Sequence, residues 1–166
     1  MTIVGGMMNQ IHQATVWRTR LDDFLLAGHC LFVLAGIVVG LPLVSFDRIV
    51  AVADFLAELG PLPSRRHGDD PQRIARGVLR ANRVLRRATC LAQALAVHAL
   101  LKRRGIPSDL IIGFRPDASG PNGESHAWAT CGGAVIIGDS PDLDSFIPIL
   151  LLDGEKKDHS RWGGIS

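Results

Sequence analysis

Three side chains in this sequence have the types and spacing for nucleophilic acyl chemistry: Cys90, His126 and Asp139. A thiolate attacks a carbonyl carbon, an imidazole moves the proton, and a carboxylate holds the imidazole in one tautomer. Residues 125–131 and 134–139 read as strands joined by Gly132-Gly133, a two-residue hairpin signal. With Cys131 opposite Ala134, the register carried back sets His126 directly across from Asp139, with Cβ atoms about 4.5–5.5 Å apart. A slip of one residue would put the two on opposite faces.

Of the three cysteines, Cys30, Cys90 and Cys131, one suits His126. Cys131 is an odd number of residues further along the same strand and points to the other face. Cys30 lies in an apolar run, a poor place for a thiolate. Cys90 follows Thr89, a possible cap, at the expected start of a helix, where free N–H groups stabilise an anion. His98 cannot be its base, being about 12 Å further along that helix. Asp142 and Asp144 are second choices for the carboxylate. Trp128 shares the His126 face by alternation, where it either walls a substrate cleft or packs in the core. Each residue alone has a plain structural reading; the order of thiol on a helix, imidazole on a strand and carboxylate on the next strand favours catalysis.

The elements that must position these groups follow from pattern. Residues 24–46 contain no Asp, Glu, Lys or Arg, long enough for a membrane-span candidate. Gly28, Gly36 and Gly-Leu-Pro at 40–42 break it, so a core helix is the expectation and membrane contact the alternative. A second helix is expected over 47–59, ended by Gly60-Pro61, with a polar loop to residue 70. Asp70-Pro71 is a helix start, followed by an apolar stripe of Ile74, Val78, Ala81 and Leu85. Arg73, Arg76, Arg80, Arg83 and Arg87 run beside it, as a solvated face or a dock for an acidic peptide or partner protein. Residues 90–104 read as helix, and the local pattern shows no break between 87 and 90. Strands are expected at 109–114, 125–131, 134–139 and 146–152. Helices followed by strands mean an α+β fold, with N-terminal helices packed on a small antiparallel sheet. The expected divisions are 1–69, a helical region; 70–152, the catalytic core; and 153–166, a frayed tail. Met1, Met7 and Met8 can each initiate translation, so residues 1–7 are expected to carry no structure.

Composition excludes several classes. A 47% apolar and 20% charged chain is globular, and a net charge of +2 does not demand nucleic acid. An odd cysteine count without a CxxC pair argues against a disulfide framework or a zinc site, and free thiols fit the cytoplasm. No secretory signal or phosphate-binding Gly-rich loop is evident.

The segment Thr89-Cys90-Leu91-Ala92-Gln93-Ala94-Leu95, with His98-Ala99-Leu100-Leu101 and Gly105, resembles the nucleophile helix of the transglutaminase-like superfamily. Ser125-His126-Ala127-Trp128 and Gly138-Asp139 resemble its His and Asp strands, over about residues 70–150. Within the superfamily the sequence is most similar to the short form of the lasso-peptide B protein. The resemblance implies a transglutaminase-like, papain-like core, a break just before Cys90, and a leader peptidase acting on a ribosomally made precursor peptide. It also implies a separate small leader-recognition protein and an asparagine-synthetase-like cyclase. No cofactor or metal is expected on this chain, any ATP being used by the cyclase. Two alternatives stand beside this reading: acyl transfer to an amine, as in transglutamination, and a non-catalytic, membrane-associated scaffold.

Overall fold

The uncharged run becomes α1 (Asp23–Gly40) in a computed structural model, which describes residues 23–48, 50–51, 70–116 and 123–152. One face of α1 enters the core through Cys30, Leu34 and Ile37. The opposite face does not: Phe24 is 75% exposed and Phe32 80%. By length and composition alone α1 would suffice to cross a bilayer. Helix α2 is described at 46–48 and 50–51. The rest of the expected 47–59 helix, most of the 60–70 loop, the start-site methionines and the tail from 153 lie outside the described residues.

Helix α3 (Pro71–Leu85) starts where the sequence says it should. The Asp70 carboxylate accepts from the Gln72 N–H at 2.9 Å, and Pro71 fills the first position, where no N–H is needed. Ile74, Val78 and Ala81 are buried and the arginines lie on the other side. The chain breaks at 86–89 before α4 (Cys90–Lys102) begins. Local periodicity misses this break because the helix does not stop at a Gly or Pro. It stops at Arg86, held left-handed at φ 52°, with its N–H donating to the Asn82 carbonyl. A non-glycine residue in that region costs on the order of 1–2 kcal/mol. Helix α4 is apolar nearly all round, and Leu95, Val97, Leu100 and Leu101 are fully buried. Each such side chain contributes about 1.5–3 kcal/mol on leaving water.

The four strands are β1 (Asp109–Arg115), β2 (Glu124–Cys131), β3 (Ala134–Ile137) and β4 (Ile147–Leu152). They form one antiparallel sheet in the order β3-β2-β1-β4. The α+β architecture is therefore as expected. Leu110, Ala127, Ala129 and Ile137 join the core cluster that contains α1, α3 and α4. By alternation His126 and Trp128 occupy the other face of β2.

The hairpin register departs from the simple expectation. Cys131 pairs with Ala134 and Thr130 with Val135, but a bulge follows and Ala129 pairs with Ile137. The extra residue shifts every later partner by one. Strand β3 then ends at Ile137, and Gly138 turns the chain at φ 81°. Asp139 therefore does not lie directly opposite His126 in the ladder. A Cβ on Gly138 would sit 2.6 Å from the Ala127 carbonyl oxygen and 2.8 Å from Trp128 Cα, so only glycine permits this approach. Gly138→Ala is expected to destabilise the protein by about 1–3 kcal/mol. A lowered midpoint in urea denaturation with an unchanged slope would show it, and an unaltered midpoint would contradict the tight packing at this turn.

Candidate active site

Cys90 is the first residue of α4, half-buried and free. The Thr89 hydroxyl caps the helix by accepting from the Ala92 N–H at 3.3 Å. Two amides tie the preceding link down. Asn82 Oδ1 accepts from the Ala88 N–H at 3.3 Å, and Gln93 Nε2 donates to the Ala88 carbonyl at 3.0 Å. The break before Cys90 is thus braced from α3 and from α4. Neither amide was singled out for this role by the sequence; Asn82, a lone polar amide in the last turns of the α3 pattern, was the available signal.

His126 sits on β2, half-buried, opposite Gly113 of β1. Its Nε2 lies 2.7 Å from the Gly138 carbonyl oxygen. A carbonyl only accepts, so the ring donates through Nε2, and in the neutral imidazole Nδ1 is left with the lone pair. The ring is packed on two sides, by Trp128 at a centroid distance of 6.2 Å and by Phe146 at 5.4 Å. Trp128 thus shares the His126 face, as alternation implied, and is nearly buried there. Gly113 admits both partners: a Cβ would come within 2.9 Å of the Trp128 ring and of Phe146 Cβ.

Phe146 is placed by a polar clamp the sequence did not reveal. Arg115, at the end of β1, donates to Asp142, to Glu124 Oε2 at 2.5 Å and to Ser145 Oγ at 3.1 Å. Its guanidinium carbon lies 4.8 Å from the Phe146 ring centroid. These contacts hold the 3₁₀ turn Leu143–Ser145 against the sheet. The Asp142 carboxylate accepts from Ser140 and Arg115, and these two bonds hold its pKa below the usual carboxylate range. In the structure it is bonded to Arg115 and Ser140 rather than to His126. Asp144 is exposed, as is Asp139, which follows the Gly138 carbonyl directly.

The structure thus brings His126 beside the Gly138-Asp139 turn, and no hydrogen bond joins the side chains of Cys90, His126 and Asp139 to one another. His98 is a core histidine, its Nδ1 3.1 Å from the Ser108 hydroxyl. Burial pushes the Cys30 and Cys131 thiols up, and Asp109 adds to the effect at Cys131. Among the described residues no group of three or more His, Cys, Asp or Glu gathers to hold a metal.

A sequence profile described as the transglutaminase-like superfamily matches residues 33–151, most of the chain. The chain belongs to the transglutaminase-like superfamily. The match begins within α1, at residue 33, consistent with the core that α1 shares with α3 and α4. No curated protein and no solved structure matches the chain. Superfamily membership makes cysteine-peptidase or acyl-transfer chemistry the usual activity and adds weight to a thiol at the start of α4.

Two outcomes follow. Iodoacetamide at neutral pH is expected to alkylate Cys90 ahead of Cys30 and Cys131, read by peptide mass spectrometry; faster labelling of either of the others would contradict this ordering. Asp142→Asn is expected to be less stable than the wild type near neutrality. A carboxyl whose folded pKa is depressed contributes stability above its unfolded value of about 3.9 and loses it as pH falls. The gap between the two melting temperatures should therefore close on acidification.

Proposed function

We propose that this chain is a cysteine peptidase that removes the leader from a ribosomally made lasso-peptide precursor. The observation that carries the reading is the His126 ring. Its Nε2 is engaged by Gly138 and its Nδ1 is left as a base, in a superfamily domain whose Cys90 opens a capped helix. The superfamily order of thiol, imidazole and carboxylate supplies the roles: Cys90 nucleophile, His126 general base and acid, and Asp139 a carboxylate that favours the imidazolium by its charge, the Gly138 carbonyl holding the ring.

The reaction requires Cys90 Sγ and His126 Nδ1 to meet over the substrate. Nδ1 takes the thiol proton and the thiolate adds to the carbonyl at the leader–core junction. The oxyanion is stabilised by the Cys90 backbone N–H at the helix start. Protonated His126 gives its proton to the departing core amine as the C–N bond breaks, leaving a thioester. Water, deprotonated by the same ring, releases the leader acid and restores the thiol. Trp128 supports the ring and borders the substrate. A small recognition protein presents the precursor, and an asparagine-synthetase-like cyclase consumes ATP and closes the ring in the cytoplasm. This chain needs no cofactor of its own for the thioester route.

Mixing the protein with recognition protein and precursor should release leader, detected by mass spectrometry. Cys90→Ala and His126→Ala are each expected to lose on the order of 10³-fold or more in rate. Asp139→Asn should lose less, because the Gly138 carbonyl still holds the ring. Absence of leader release by wild-type protein under conditions where the partners bind, or full activity of Cys90→Ala, would end the peptidase reading. Transfer of the acyl group to an added amine in preference to water would redirect it to transglutamination.

A further inference from the structure

Charge on this chain is segregated far more than its net value of +2 suggests. Between Asp70 and Asp109 the sequence contains no Asp or Glu, and it contains Arg73, Arg76, Arg80, Arg83, Arg86, Arg87, Lys102, Arg103 and Arg104. The fold sorts the first six onto α3 and the link after it, and all except half-buried Arg73 are exposed. Arg73 is paired with Asp23, and Arg76 with Asp70 at 3.2 Å. Among the described residues no carboxylate pairs with Arg80, Arg83, Arg86 or Arg87. Arg80 and Arg83 lie on the exposed side of α3, away from its buried Ile74, Val78 and Ala81, and Arg86 and Arg87 continue the row along the link, ending three residues before Cys90.

At the far end of the row a cavity of about 220 Å³ opens between α1 and α3. Leu26 and Ala27 give it an apolar wall, Arg73, Arg76 and Arg80 give it guanidinium groups, and the one carboxylate in its lining, Asp23, is paired with Arg73. From Arg76 to the end of α3 is roughly 14 Å at 1.5 Å per residue. An extended peptide covers that distance in about four residues.

We infer that this arginine row is the dock for an acidic segment of the peptide substrate, spanning about four residues along α3. Guanidinium groups grip carboxylates in pairs of parallel hydrogen bonds, and a row of them beside one nucleophile fixes which way a peptide lies. Charge complementarity selects an acidic peptide as the occupant. The row has no interleaved aromatic side chain to stack a base, which disfavours a single-stranded nucleic acid. The assignment of the occupant rests on the peptidase reading, whereas the preference for negative charge does not.

The test uses the full chain carrying Cys90→Ala, so that binding is read without turnover. Fluorescent decapeptides identical except for Glu, Gln or Lys at the charged positions are titrated by anisotropy, alongside a single-stranded deoxynucleotide decamer. The Glu peptide is expected to bind more tightly than the Gln peptide, with the advantage shrinking as salt rises from about 0.05 to 0.3 M. Adding Arg80→Glu and Arg83→Glu should weaken the Glu peptide about tenfold or more and make the Lys peptide the preferred ligand. Both sites are exposed, and Arg80→Gln with Arg83→Gln should give an intermediate loss with an unchanged melting temperature. Equal affinity for Glu and Gln peptides, indifference to the reversal, or tighter binding of the deoxynucleotide would each overturn the dock. Leader release by wild-type protein alongside equal Glu and Gln affinities would defeat the dock and leave the peptidase. A Glu preference without any leader release would do the reverse.

Discussion

An apolar helix with no polar side cannot rest on a surface; it must be covered all round. Helix α4 is such a helix, and its burial organises the domain. Helices α1 and α3 share its core cluster, and the Leu110, Ala127 and Ala129 face of the sheet closes it from another direction. Once α4 is held from several sides, its first residue has little freedom. Cys90 is thereby set at the rim of the core, half-buried and at the end of the helix where N–H groups remain unpaired.

The sheet supplies the other half of the site by a different device. The bulge before Ala129 and the turn at Gly138 carry the backbone across β2, so that a carbonyl oxygen meets the imidazole. Orientation of His126 then depends on main chain, which no side-chain substitution removes directly. Trp128 and Phe146 pack the ring, and Arg115 ties Phe146 to both β2 and the 3₁₀ turn. The ring thus stands on the face of β2 opposite Ala127 and Ala129, while Cys90 opens α4.

Much of this was legible in the residues. Asp70-Pro71 marks the start of α3, Gly132-Gly133 the hairpin, and the β-branched run at 109–112 a strand, because capping, turn chemistry and strand propensity act over a few neighbouring residues. The exclusion of Cys30 and Cys131 also came from pattern; in the fold Cys30 is buried and Cys131, like Cys90, is half-buried. The direct pairing of His126 with Asp139 failed for a local reason with a non-local cause. A bulge is fixed by how β2 is held between β1 and β3, and neither sequence segment carries a sign of it. The break before Cys90 escaped periodicity because it is made by Arg86 in a left-handed conformation and by amides at Asn82 and Gln93.

What the sequence determined by itself is therefore the order of the described elements and the residue types proposed for the site, since these depend on the chemistry of residues close together in the chain. What tertiary structure decided is which atoms those groups meet: a carbonyl for His126, an arginine for Asp142, a braced helix end for Cys90. Those contacts join residues as far apart as Arg115 and Asp142 or His126 and Gly138, and their geometry exists only after the core around α4 has closed.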